Sequence, residues 1–445
     1  MSHATRKASE LGISIILVAA IVIGGGTGPG LISDSLLLMA AILVCGTALF
    51  LLDEHEVDGR IIALALAACV AVAIQVLPLP ELVLHKLRPA AVRNAMDVSA
   101  GQIGNTFGTL SLVTIRTLDY LVFTIAATLL LWSSLRLPAH RVYHLVKPLF
   151  IGIAINAILA PLVLATGDRG TGITGIFDHP LRGGTFSNVN HLATLLFTAI
   201  PFIIYFGFRA RRTVITMLGL AYIMVLLLAA GSMAGLFIGT AVALAALVLA
   251  VRSMSEAHTR LPLLMIAVWA AISIAGVWYR FDALTADSKL SRSEYARVSF
   301  NAIKENPVFG TGYGTFETTY PIYEPADSIG LAIVNHVHND VIELVYEGGM
   351  IAAALIIVYL ALLGLRLFQQ RHVPFMRAIG IAIIGILAHS LVDYPMRTVA
   401  MLFVFVTLNA MLFHRGLAEY VETLVTPDRK KDQVPEHHRR GRKRR

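Results

Sequence analysis

Charge is what this chain has least of. Only 14% of its 445 residues are Asp, Glu, Lys or Arg, while 56% are hydrophobic; soluble domains carry roughly a quarter charged residues. Together with a mean hydropathy of +0.73, this excludes an ordinary soluble domain. Cysteine is almost absent. Cys45 and Cys69 both lie inside apolar runs, so buried free thiols are expected rather than a disulfide framework or a thiolate metal site. No P-loop is present. "FGTGYGTFE" has Gly310, Gly312 and Gly314 in alternation, but no Lys-Ser/Thr ending and no βαβ context, so nucleotide binding is not expected. A tight turn with close backbone packing explains those glycines better. Without a nucleotide site, any bond-forming reaction must draw on an already activated substrate. No period of 20–50 residues suggests a repeat array. Met1–Glu10 is short and polar, and the apolar run after it reaches Gly24, Gly25 and Gly26 without a small-x-small cleavage site. The first span is therefore expected to remain as an anchor.

What remains is apolar length. Runs of about 20 nearly uncharged residues, each enough to cross a bilayer core, recur along the chain. About twelve are read, near 11–31, 35–52, 61–79, 118–135, 148–166, 191–208, 213–231, 233–251, 261–279, 346–365, 378–394 and 397–414. The expected fold is an all-α polytopic integral membrane protein. With the N-terminus cytoplasmic, the inner segments hold 24 of the 36 lysines and arginines. The short loops "RARR" and "RLFQQRHVPFMR" are positive-inside signals, so both termini are expected in the cytoplasm. Segment 53–60, "DEHEVDGR", fits that rule least well. The net charge of +8 does not point to nucleic acid, because the basic residues cluster in the tail "RKKDQVPEHHRRGRKRR". A disordered tail beside anionic membrane lipids is expected there. Three organisational units follow: membrane helices over 1–164, a second membrane region over 165–415, and the basic tail 416–445. The outer side holds 80–117, 167–190 and 280–345. The last is too short for an independent enzyme domain and is expected to form a periplasmic cap.

The outer segments carry twelve basic residues, among them Arg116, Arg182, Arg292 and Arg397. Any one of them can be ordinary solvated surface, but arginine's planar fork also suits phosphate oxygens. The densest chemistry is "HVHND", His336 to Asp340, directly before an apolar helix. A metal site would need further ligands from a layered soluble domain; no metal is expected. Asn339 or Asp340 is a good N-cap, and Asp340-x-x-Glu343 resembles a capping box. His338 then lies at the positive end of a helix, where the imidazolium is disfavoured and a neutral base is expected. The same end attracts phosphate through its free N–H groups. The bland alternative is a histidine that only helps cap the helix. Glu343 and Glu347 share one helical face near the outer surface, either exposed there or facing a wet cavity or a partner. His389 and Asp393 repeat the i,i+4 spacing in "LAHSLVDYPMR", which suits a structural His–Asp hydrogen bond at least as well as catalysis.

Several of these stretches resemble one family. "SRSEYARVSFNAIKENPVFGTGYGTFE" followed by "HVHNDVIELVYEGGMIAAALI" resembles the large outer loop of the O-antigen ligase/polymerase superfamily of bacterial envelope enzymes. "RGGTFSNVNHLATLLFTAIP" and "HSLVDYPMR" resemble flanking motifs of the same group, and the likeness spans roughly residues 165–415. The resemblance implies a metal- and cofactor-independent glycosyltransferase of the inner membrane, its site facing the periplasm. It would move a glycan from undecaprenyl diphosphate to lipid A-core (ligase) or to a growing glycan (polymerase). It implies His338 as general base and Arg292 as a diphosphate contact, with Arg182 and Arg116 as further diphosphate candidates and His336, Asn339 and Glu343 shaping the site. Two positions depart from the pattern: Met233 stands where many members carry an arginine, and Ala352 where a glycine is usual. The rival class is a transporter or flippase of lipid-linked glycan.

Overall fold

A computed structural model describes residues 3–53, 57–87, 107–166, 177–251, 264, 267–275, 278, 288–326 and 333–425. The chain runs through α1 (His3–Ile23), α2 (Ile32–Leu51), α3 (Gly59–Gln75), β1 (Leu79–Pro80), α4 (Glu81–Leu87), β2 (Phe107–Gly108), α5 (Thr114–Leu135), α6 (Ala139–His144) and α7 (Val146–Thr166). It continues with α8 (Val189–Arg209), α9 (Thr213–Ala230), α10 (Met233–Val251), α11 (Ser288–Glu305), α12 (Phe316–Tyr323), α13 (Asp340–Gln369), α14 (Pro374–Ser390), α15 (Val399–Phe413) and α16 (Leu417–Val425). Apart from the two-residue antiparallel pair β1–β2 and an isolated bridge between Gly183 and Phe186, regular structure among the described residues is helical.

Seven helical stretches are long and apolar enough to cross a membrane: α2, α5, α6 with α7, α8, α9, α10 and α13. The pair α15–α16, bent by 78°, makes an eighth if taken as one span, and α3 and α14 are shorter apolar helices. Most expected runs are helices within a few residues of the expected bounds. The first begins earlier, at His3, and the run near 346–365 begins at Asp340. The run near 261–279 lies largely outside the described residues. Leu417–Val425, expected as the start of a disordered tail, is instead helical and buries Leu417 and Val421; 426–445 lie outside the described residues.

Two helices form the centre. α8 packs against α9, α10 and α14, and α15 against α1, α5 and α14; both are buried along most of their length. α13 is the opposite case. It is strongly apolar, yet little of it is buried within the protein, as expected of a helix whose outward face meets lipid rather than protein.

The glycine-rich loop explains how the cap is fixed. α13 breaks at Gly349, whose φ of 59° and ψ of −148° are non-helical. The break frees carbonyls that the loop satisfies: Thr311 N–H donates to Tyr346 O at 3.0 Å and Gly312 N–H to Glu347 O at 2.9 Å. The Gln75 side chain, from the end of α3, donates to Phe309 O at 2.6 Å and to Glu347 O at 3.2 Å. Gly310 has φ +67°, and a Cβ there would strike the Glu347 backbone; a Cβ on Gly349 would strike Val308. The two chains therefore meet backbone to backbone, as only glycines allow. This contact sets the first two turns of α13 under the cap, whose small core joins Val298, Ala302, Phe316, Tyr320, Val337 and Tyr346.

Candidate functional site

Four segments converge above the membrane helices: the start of α8, the cap helix α11, the turn into α13, and the loop 391–398. His338 is their meeting point. Its φ of 58° is left-handed, a conformation costing a non-glycine residue roughly 1–2 kcal/mol. Asn339 follows as N-cap, its Oδ1 accepting from Val341 and Ile342 N–H at 3.0 Å each, while its amide donates to Leu391 O at 2.7 Å. The capping box expected from Asp340 and Glu343 does not form. The Glu343 carboxylate turns back to His336 and Val337 instead of closing on the cap.

His338 Nδ1 lies 3.2 Å from Asp393 Oδ1, with side-chain exposures of 25% and 1%. Asp393 also accepts from Tyr394 N–H at 2.9 Å and from the Asn190 amide of α8. Burial would raise the pKa of Asp393, but the hydrogen bond from His338 and the nearby histidines hold it well below the usual carboxylate range. An ionised Asp393 can only accept, so Nδ1 of His338 carries the hydrogen of this bond and Nε2 is the ring nitrogen turned away from the carboxylate. The ring lies between Tyr295, near-parallel at 6.5 Å, and Tyr394, edge-on at 5.0 Å. Arg292, exposed on α11, donates to Val392 O at 3.3 Å and so reaches the residue next to Asp393.

The i,i+4 pair His389 and Asp393 is not joined through its side chains. His389 Nδ1 meets Thr194 Oγ1 at 2.7 Å, because α14 ends at Ser390 and the following turn points the Asp393 carboxylate back to His338.

Behind His338 lies a buried ion cluster. His336 Nδ1 is 2.8 Å from Glu343 Oε1, and its ring stacks on Tyr394 at 3.9 Å. Burial opposes its protonation, but the Glu343 charge and hydrogen bond prevail and raise the His336 pKa. Arg397 is 8% exposed and sits 2.7 Å from Glu347, 3.5 Å from Glu343 and 3.7 Å from Asp340. Burial would depress its pKa, but Glu343 and Glu347, then Tyr120 and Asp340, raise it well above the ordinary value. Neither glutamate is exposed at the interface; both are buried against this guanidinium.

The cluster faces a cavity of about 410 Å³ between the α1–α2 loop, the start of α5 and the cap, lined among others by Arg116, Tyr120, Glu317, His336 and Arg397. Arg116 thus lines the same cavity as His336 and Glu343, whereas Arg292 reaches the turn that carries Asp393. Arg182 is exposed in the turn before α8, its backbone N–H bonded to Phe186 O at 2.9 Å, and among the described residues its side chain is not hydrogen-bonded or ion-paired to either group. Met233 opens α10 beside a Ser232 cap, and Ala352 is buried near Tyr313. Among the described residues, no group of three or more His, Cys, Asp or Glu is arranged to hold a metal ion. Asp393 and Arg397 carry more of the site than the sequence suggested. Their signal was the polar density of "HSLVDYPMR" between two apolar helices.

Fold and site together define a multi-pass membrane protein with a polar, histidine-bearing centre where the cap meets the helices. Residues 184–357 match the model of the O-antigen ligase family, so this stretch of the chain is similar to that family. The match contains Arg292, His336, His338, Asn339 and Glu343; it begins after Arg116 and Arg182 and ends before Asp393 and Arg397. No curated protein matches the chain.

Proposed function

We propose that the protein transfers a glycan from undecaprenyl diphosphate to an acceptor sugar on the periplasmic face of the inner membrane, as a ligase or polymerase of cell-surface polysaccharide. The observation that carries this is the His338–Asp393 pair, which fixes one tautomer and leaves Nε2 pointing away from its carboxylate. Nε2 takes the acceptor hydroxyl proton as the oxygen attacks the anomeric carbon, and the bond from that carbon to the diphosphate oxygen breaks. Asp393 balances the imidazolium that forms, as a buried carboxylate does in hydrolase triads. Arg292, with Arg182 or Arg116, neutralises the departing diphosphate, and preorganised charge of this kind is often the largest catalytic contribution. No metal or nucleotide takes part in this scheme.

Support for a lipid donor comes from a second, apolar cavity of about 690 Å³ between α3, α5, α13, α14 and α15, with Asp340, Ser390 and Met396 among its lining residues. Such a space suits part of a polyprenyl chain whose head group lies toward the Arg292 side of the Asp393 turn, since the cavity lining reaches Leu391. The test is transfer in detergent or liposomes from labelled undecaprenyl-diphosphate oligosaccharide, with a chelator present, using wild type beside His338→Ala. Donor consumption by wild type alone is expected. A product ladder without added acceptor identifies a polymerase, and dependence on lipid A-core a ligase. Equal turnover by the two proteins overturns the assignment of the base. Donor binding without consumption by either favours the transport class.

A further inference from the structure

The end of the helix bundle away from His338 carries a cavity of its own. About 270 Å³ in volume, it lies where α8 and α10 end and α14 begins; Ile204, Phe208, Leu249 and Ile381 form apolar walls, and Arg209 and Arg377 supply its charge. Arg209 is exposed at the mouth of the cavity, and its side chain donates to Leu424 O at 2.6 Å, a neutral carbonyl. Arg377 is half-buried, and its backbone N–H donates to Val373 O at 3.0 Å. No carboxylate pairs with either guanidinium among the described residues. The flanking turns deepen the imbalance. Segments 209–212 and 371–377 contain Arg209, Arg211, Arg212, Arg371 and Arg377 and no acidic residue.

A half-buried guanidinium without a counter-charge is costly, and burial is tolerated where an anion completes it. The walls narrow the choice of anion. A soluble anion would leave the apolar side in contact with water, whereas an amphiphile covers it. Basic pockets between membrane helices at this level suit phospholipid head groups, and two arginine forks suit a phosphodiester better than one. We propose that this cavity binds an anionic phospholipid, its phosphate between Arg209 and Arg377 and its glycerol and first acyl carbons along Ile204, Phe208, Leu249 and Ile381. The site is independent of the glycan-transfer chemistry and stands or falls without it.

The test uses the full chain, delipidated in detergent, with added phosphatidylglycerol, phosphatidylcholine or inorganic phosphate. Bound lipid is counted by native mass spectrometry and melting temperature is followed in parallel. Phosphatidylglycerol is expected to remain bound and to raise the melting temperature, while the other two do neither. Arg377→Gln should weaken binding about tenfold or more, the scale of losing one charge-assisted hydrogen bond. Ala250→Trp, which fills the cavity without altering charge, should also abolish retention. Equal retention of phosphatidylcholine, or full phosphatidylglycerol binding by both variants, overturns the proposal. Stabilisation by inorganic phosphate that competes with the lipid overturns the lipid assignment in favour of a soluble anion.

Discussion

Replacing Asp393 by Asn tests the proposed base more sharply than removing His338 itself. The carboxylate is 3.2 Å from His338 Nδ1 and 1% exposed. With an effective dielectric near 20, opposite charges at that distance attract by roughly 5 kcal/mol. His338 is 25% exposed, so solvent screening brings the stabilisation of a forming imidazolium to roughly 3 kcal/mol. At about 1.4 kcal/mol per tenfold, kcat should fall roughly 100-fold. Geometry adds to this. Asp393 accepts from Tyr394 N–H and His338 on one oxygen and from Asn190 on the other. An amide in its place must turn an NH2 toward one of these donors, and if that donor is His338, the ring is pushed to the wrong tautomer. Initial rates with saturating labelled lipid-linked donor measure the effect, and the apparent KM for donor should move little because the carboxylate is shielded from it. A folded Asp393→Asn protein with kcat within about threefold of wild type would refute the reasoning.

The ion cluster makes further predictions. Arg397→Met leaves Asp340, Glu343 and Glu347 buried together, and losing one partner of a buried ion cluster costs about 3–5 kcal/mol; the melting temperature should drop steeply, and an unchanged value contradicts the cage. The His336 pKa is raised in the folded state, so its contribution is complete below the unfolded-state value and is lost as pH rises through the folded one. Thermal stability should therefore fall on the alkaline side of that transition, and His336→Gln should flatten the fall. Gly310→Ala and Gly349→Ala each force a side chain into a left-handed residue against backbone, at a cost of about 1–2 kcal/mol before any clash is relieved. Gly364→Ala, with nothing within 4 Å of the added carbon, is the control and should leave the melting temperature unchanged.

The helical runs were legible because apolar length is a one-dimensional signal. α9 and α10 need no tertiary information, and both fall within a residue of the expected runs. The cap contact was legible in part, since alternating glycines at 310, 312 and 314 announce close backbone approach without naming the partner. That partner, the break at Gly349, depends on residues some forty positions away. The site divided in the same manner. His336, His338 and Asn339 stand in one short motif and are found together. Asp393 and Arg397 lie 55 and 59 positions beyond His338, and only the folding of α14 and α15 brings them back. The i,i+4 rule paired Asp393 with His389 because it assumes a continuing helix; α14 stops at Ser390, so the pairing rule no longer applies.

Arg397 shows why a count of outer arginines overstates the anion grip. It faces the 410 Å³ cavity, and from sequence it is as good a phosphate ligand as any other. Yet three carboxylates surround it within 3.7 Å. Taking His336 as charged, the cluster has two cations against three potential anions, so it offers a diphosphate no net attraction. On the proposed function, the work of holding phosphate falls to arginines without such a cage, of which Arg292 stands beside the Asp393 turn. The cage has a different use. Tyr394 stacks on His336 at 3.9 Å and meets the edge of His338 at 5.0 Å and of His191 at 4.9 Å. Its backbone N–H also holds Asp393. Fixing Glu343 through Arg397 therefore fixes His336, then Tyr394, then the carboxylate that orients the proposed base, His338. If His338 is the base, as proposed, the charge nearest the cavity would act on the chemistry by rigidity rather than by touching the substrate.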